Sequence, residues 1–178
     1  MRLAVVVCAL ASIACGALGL SSAPEPTPPA VPSLPAEALA NAEYVIGTKT
    51  VRLTNGLYEI PAPPGINEPY LTQYMLWRTV AFGDLNGDGV EDAVVTVVDN
   101  PIGTYASFCA AAMINQNGAP LFADAVCFGD RDLIDRISIA DGLITLDMTV
   151  HGPTDPGCCP TLQKVVRYRL LGGKLVAR

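Results

Sequence analysis

The residues with the clearest chemical potential lie in one short stretch, Gly83-Asp84-Leu85-Asn86-Gly87-Asp88-Gly89-Val90-Glu91-Asp92. Oxygen-bearing side chains recur at Asp84, Asn86 and Asp88, and Asp92 follows. Positions one, three, five and nine of a tight loop can therefore converge on one hard cation. Glycines at 87 and 89 allow the sharp backbone turns this requires. Without a cation, three carboxylates and an amide oxygen crowded together repel one another, so a divalent ion, calcium by the all-oxygen donor set, is the natural occupant. The alternative is an acidic, glycine-rich turn that holds no metal.

The pattern begins as an EF-hand does, but the twelfth position, where that motif places a bidentate Glu, is Val95. The residues that follow, Ala93 to Val98, are apolar and mostly β-branched, which suits a buried strand rather than an exiting helix. The loop resembles instead the calcium loops of FG-GAP repeats in integrin-type β-propellers, where D-x-[DN]-x-D-G-x-x-D joins two strands of a blade. Asp84, Asn86, Asp88 and Asp92 match it position for position. The resemblance implies Ca2+ held by these side chains and by the backbone carbonyl at position seven, Val90. A single loop of this kind is too few for a propeller, which needs several four-stranded blades.

The elements that must position the loop are mainly strands. Leu71 to Phe82 reads as the strand into it and Asp92 to Val98 as the strand out. Ahead of them, Ala36 to Val45 has the composition of a short helix behind Pro35. Thr50 to Leu53 and Leu57 to Ile60 flank Thr54-Asn55-Gly56, a hairpin signal, and Pro61 to about Tyr70 is a loop. Tyr105 to Ile114 and Leu121 to Phe128 pair across Asn117-Gly118; Arg136 to Ile139 and Leu143 to Val150 flank Asp141-Gly142. Ile144, Leu146, Met148 and Val150 alternate with Thr145, Asp147 and Thr149, so one face of that strand is buried and the other wet. Lys164 to Leu171 and Lys174 to Ala177 close a last hairpin around Gly172-Gly173. The expected fold is one antiparallel β domain over residues 36–178, a twisted sheet or sandwich of about nine strands with a short N-terminal helix.

Upstream of that domain, Met1-Arg2 is followed by an apolar run from Leu3 to Leu20 with no charge before Glu25, the pattern of a secretory signal. Ser12-Ile13-Ala14-Cys15-Gly16 has the form of a bacterial lipobox, whose processing removes residues 1–14 and leaves a lipidated Cys15 as a membrane anchor. Cleavage after Ala23 and an uncleaved anchor are the other two readings; each places the rest of the chain outside the cytoplasm, at the cell surface or secreted. Residues 15–35 then form a tether whose prolines, from Pro24 to Pro35, favour extended polyproline II and cannot build a core.

Four cysteines fall within the domain. A three-residue loop at 117–119 pairs residue 116 with 120 and sets Cys109 opposite Cys127, the preferred pairing among the three possible connectivities. Cys158 and Cys159 are neighbours inside His151-Gly152-Pro153-Thr154-Asp155-Pro156-Gly157-Cys158-Cys159-Pro160. Two readings stand for them. One is a rigid loop closed by a structural vicinal disulfide. The other is a redox switch or soft-metal site using both thiolates and His151, the only histidine of the chain.

Taken together, Val51-Arg52-Leu53-Thr54-Asn55-Gly56-Leu57-Tyr58, Ala81-Phe82-Gly83-Asp84-Leu85-Asn86-Gly87-Asp88-Gly89, Gly129-Asp130-Arg131 and His151-Gly152-Pro153 with Cys158-Cys159-Pro160 resemble a group of uncharacterised exported bacterial proteins, often lipoproteins. The resemblance implies a shared fold and brings no activity with it. The formal net charge of −6 and the confinement of basic clusters to Lys164, Arg167, Arg169, Lys174 and Arg178 argue against nucleic acid as a partner. No Ser-His-Asp set, P-loop or dinucleotide fingerprint is present; Asp130, Asp132 and Asp135 read as a charged turn. The expected function is a calcium-stabilised binding or structural module for an unknown protein or glycan ligand, a reading favoured over an enzyme. The competing expectation is an extracytoplasmic thiol-redox or metal-dependent protein built on Cys158, Cys159 and His151. A third, glycan binding, would use Tyr70, Tyr74 and Trp77.

Overall fold

Apolar residues alternate with polar ones along most strands, but not along Asp92–Pro101 and Ser107–Gln116, which are buried almost throughout. A strand buried on both faces must lie in a middle layer, and the computed structural model, which describes residues 31–103 and 105–178, has that arrangement. The predicted leader, Cys15 and the tether up to Ala30 lie outside the described residues. From Val31 onward the chain forms one compact unit. Its strands are β1 (Glu43–Ile46), β2 (Lys49–Arg52), β3 (Leu57–Pro61), β4 (Tyr70–Gly83), β5 (Asp92–Pro101), β6 (Ser107–Gln116), β7 (Ala119–Asp130), β8 (Leu133–Ala140), β9 (Leu143–Val150), β10 (Leu162–Leu171) and β11 (Lys174–Ala177). The fold is mainly β and antiparallel, with one short helix among the described residues, α1 (Ala36–Ala40).

The middle layer is a five-stranded sheet in the order β3-β4-β5-β6-β7. On one face Val94, Val98, Phe108, Ala110 and Ala112 meet Ile134, Ile137, Ile144, Leu146 and Met148 of a four-stranded sheet, β11-β10-β9-β8. The other face presents Ala93, Val95, Val97, Cys109, Ala111 and Met113, and α1 with the hairpin β1-β2 covers it through Leu39, Tyr44, Ile46, Val51 and Leu53. The Tyr44 hydroxyl, at the centre of that cover, donates to the Leu39 carbonyl at 2.7 Å. Asp124 ties the two large sheets together at one side, accepting from Leu175 N at 2.9 Å and from Lys174 Nζ at 3.0 Å.

Three local expectations are corrected. The helix stops at Ala40, and residues 43–45, expected to be helical, belong to strand β1. The Asn55-Gly56 turn makes a single bridge, Thr54 with Leu57, after which its arms separate: β2 pairs back onto β1, while β3 joins β4 in the middle sheet. The reason is the exposed second face of that sheet, which a β2-β3 hairpin would leave uncovered. Third, the domain begins before Ala36, since Leu34 is buried and the Pro32 carbonyl accepts from Asn115 Nδ2 at 2.8 Å.

The β6-β7 hairpin reaches the expected cysteine pairing by another route. Its turn is Asn117-Gly118, both at positive φ as a two-residue type I′ turn requires, so Gln116 pairs with Ala119. A bulge in β7 between the partners of Met113 and Ala112 then adds one residue, and Cys109 comes to face Cys127. The two are bonded, with α carbons 3.9 Å apart.

At Gly83, the last residue of β4, there is no room for a side chain against the facing sheet. A β carbon there would lie 2.6 Å from Ile139 Cγ2. Gly83→Ala is therefore expected to cost about 2 kcal/mol by overpacking, measured by urea unfolding. Only part of the loss should return in the Gly83→Ala/Ile139→Ala pair, relative to Ile139→Ala alone, because alanine removes the Cγ2 methyl but keeps the Ile139 β carbon, itself 2.9 Å from the added one.

Candidate functional site

The loop 84–91 connects β4 to β5, and its acidic side chains are organised by the loop's own backbone. Asp84 Oδ1 accepts from Gly87 N at 2.7 Å and Asn86 N at 3.2 Å, and Oδ2 from Gly89 N at 2.9 Å. These donors, Gly89 foremost, hold the Asp84 carboxyl below its ordinary pKa. Asn86 Oδ1 accepts from Asp88 N at 3.0 Å, and Asp88 Oδ1 from Val90 N at 2.8 Å. Each short polar side chain thus caps the N–H two residues on, which is why alternating Asp and Asn build this turn.

Asp92 is different. It is the first residue of β5, wholly buried, and both its oxygens accept from backbone: Oδ2 from Leu85 N at 2.9 Å and Oδ1 from Asn115 N at 2.8 Å. Asn115, also buried, extends the network, with Nδ2 donating to the Glu91 carbonyl at 3.1 Å as well as to Pro32, and Oδ1 accepting from Gly118 N at 2.7 Å. The carboxylate at position nine therefore fastens the loop to β6, the β6-β7 turn and the incoming chain at once. Burial pushes the Asp92 carboxyl above its ordinary pKa; the charges of Asp88 and Asp84 add to the rise, while the Asn115 and Leu85 N–H groups oppose it.

The structure brings Asp84, Asn86 and Asp88 together on one turn, with Asp92 beneath and within reach of the charges of both other carboxylates. Among the described residues, no group of three or more His, Cys, Asp or Glu side chains is already arranged around a metal position. In this loop the Asp92 oxygens face the two N–H groups, and Asn86 Nδ2 contacts Asp88 Oδ2 at 2.9 Å. The donor types nevertheless fit a hard cation: every carboxylate oxygen has more than one acceptor site, and a half-turn of the Asn86 amide exchanges its nitrogen for oxygen. Beside the loop runs a cleft of about 480 Å³ bounded by Asp84, Asn86, Ile139, Asp141 and Arg169. Arg169 Nη1 donates to the Asp141 carbonyl at 2.7 Å and so ties β10 to the Asp141-Gly142 turn, which lies beside the Asp84 and Leu85 carbonyls.

The other predicted residues lie elsewhere. His151 follows β9, its Nδ1 3.5 Å from Asp132 Oδ1, its backbone N donating to the same oxygen at 3.1 Å, and its Nε2 buried without a hydrogen-bond partner among the described residues. Cys158 and Cys159 are bonded to each other on an exposed loop. Of the proposed aromatic platform, Tyr74 is a core residue packed near Tyr58, and Trp77 sits edge-on to Phe108 at 5.7 Å. Sequence reasoning missed Asn115 and Arg169. Arg169 acts on backbone distant in sequence, and so does Asn115 through Glu91 and Pro32; the one local bond of Asn115, to Gly118 N, marks only the turn. Comparison of the chain with protein-family models, curated proteins and solved structures finds no match.

Proposed function

We propose that this is an exported binding or structural module, at the cell surface or secreted, whose fold is locked by calcium at Asp84, Asn86, Asp88, the Val90 carbonyl and Asp92. The observation that carries this reading is the placement of a fully buried Asp92 carboxyl close to Asp84 and Asp88, where burial and both neighbouring charges disfavour its ionised form. A bound cation would offset that penalty, and extracellular calcium is abundant enough to fill even a weak site. The Cys109–Cys127 bond fits an oxidising compartment. Lipidation of Cys15, with the proline-rich segment as stand-off, would attach the module to a membrane. The adjoining cleft between the loop and Arg169 is where a ligand could meet the calcium-ordered backbone.

Calcium titrated into metal-stripped protein is expected to add about 2.7 kcal/mol at a hundredfold excess over Kd, with a rising thermal midpoint. Asp88→Ala should flatten that response. A parent protein that does not respond would remove the calcium reading.

The same titration has a pH signature. Because the folded chain raises the Asp92 pKa, the contribution of this residue to metal-free stability is full below the unfolded carboxylate pKa and is lost as pH rises through the higher folded value. Calcium requires the ionised form. Affinity measured calorimetrically should therefore begin to fall, on acidification, at a higher pH than an ordinary carboxylate site would show.

A further inference from the structure

The loop from His151 to Thr161 holds its shape by bonds that do not involve sulfur. Asp155 Oδ2 accepts from Gly152 N at 2.8 Å and from Thr161 N at 2.7 Å, and Oδ1 from the Thr161 hydroxyl at 2.9 Å. Arg131, in the β7-β8 turn, donates from Nη1 to the Gly157 carbonyl at 2.6 Å, and Cys159 N donates to the Pro156 carbonyl at 3.0 Å. Pro153, Pro156 and Pro160 fix φ at three further positions. The ends of the loop are thus closed by Asp155 and its middle is pinned by Arg131.

A disulfide between neighbours adds little to this. Cross-linking stabilises a fold by restricting the unfolded chain, and the restriction grows with the length of loop enclosed. Cys109 and Cys127 enclose a long hairpin, being 18 apart in sequence, whereas Cys158 and Cys159 are one apart and already joined by a peptide bond. By linkage, a bond that contributes little to folding receives little protection from folding in return. Access differs in the same direction but less sharply: Cys158 and Cys159 are both exposed, whereas in the other bond Cys127 is exposed and Cys109 is wholly buried.

We propose that Cys158–Cys159 is a thiol–disulfide exchange site, alternating between the disulfide and a dithiol on a loop that Asp155 and Arg131 keep folded. The reductant is an external dithiol. Its thiolate attacks one sulfur of the pair, the Sγ–Sγ bond breaks, and the other cysteine leaves as thiolate and takes up a proton. The second thiol of the reductant then attacks the mixed disulfide and releases the remaining cysteine. Two electrons and two protons pass to the protein, and the reductant departs as a cyclic disulfide.

The site is independent of the calcium reading. Strand β9 separates them, with the Asp141-Gly142 turn beside the calcium loop at one end and His151 at the other. The test is a time course of dithiothreitol reduction of the oxidised full chain, trapped by alkylation and mapped by mass spectrometry. The expected result is opening of Cys158–Cys159 at least tenfold faster than Cys109–Cys127, with an unchanged thermal midpoint once only the first pair is reduced. The Cys158→Ser/Cys159→Ser variant should keep the parent midpoint and its calcium response while losing the fast phase. Simultaneous or reversed opening of the two bonds would overturn the proposal. So would a lowered midpoint on selective reduction, or failure of the double variant to fold, since either makes the bond a structural one.

Discussion

Asp92→Ala is expected to lose about 3 kcal/mol of folding stability with calcium chelated, and more with calcium present, measured by chemical denaturation. The size follows from what the carboxylate does in the fold. It is the acceptor for both Leu85 N and Asn115 N, with no exposed surface, and alanine would leave two buried donors unpaired. Removing a desolvated charge offsets part of the loss, so the estimate lies below twice the upper cost of a stranded donor. Asp92→Asn should fall between, because an amide oxygen can serve one of the two donors. The chelated arm separates two roles. If the loss occurs only with calcium, Asp92 acts as a ligand and not as a fastening. Asp88→Ala is the contrasting case. Asp88 lies on the exposed rim of the loop, accepting from Val90 N and contacting Asn86, and its effect should be confined to the calcium-loaded protein.

The second large effect concerns Cys109 and Cys127. Replacing both by alanine is expected to destabilise the domain by about 3 kcal/mol, from the chain entropy released when an enclosed hairpin is freed. Loss of the wholly buried Cys109 sulfur from the core under α1 adds to this. The same substitution at Cys158 and Cys159 should leave the stability of the domain at that of the parent. Urea unfolding of the two double variants side by side tests the difference. Comparable losses would mean that the 151–161 loop depends on its disulfide in spite of Asp155 and Arg131.

The candidate site was legible in part. The alternation of Asp84, Asn86 and Asp88 with glycines is a local signal, and the structure shows its local consequence, side chains capping the backbone two residues ahead. The role of Asp92 as a buried fastening was not legible, because its partner Asn115 belongs to another strand. A polar residue near a turn looks the same in sequence whether it faces water or holds three segments together.

What the sequence determined by itself is whatever neighbouring residues decide among themselves. Asn117-Gly118 and Asp141-Gly142 specify their turns through backbone conformations open to few other residues, and the alternation from Ile144 to Val150 specifies which face of β9 is buried. The acidic loop and the antiparallel β class follow from the same short-range rules. Only the tertiary structure decided the layer to which each strand belongs. Residues 43–46 became a strand, and β2 turned away from β3, because the middle sheet is apolar on both faces and the second face needed Tyr44, Ile46, Val51 and Leu53 over it. The Cys109–Cys127 pairing likewise depends on a bulge in β7. Burial of a face is settled between segments distant in sequence, so the apolar pattern of any one segment leaves its partner open.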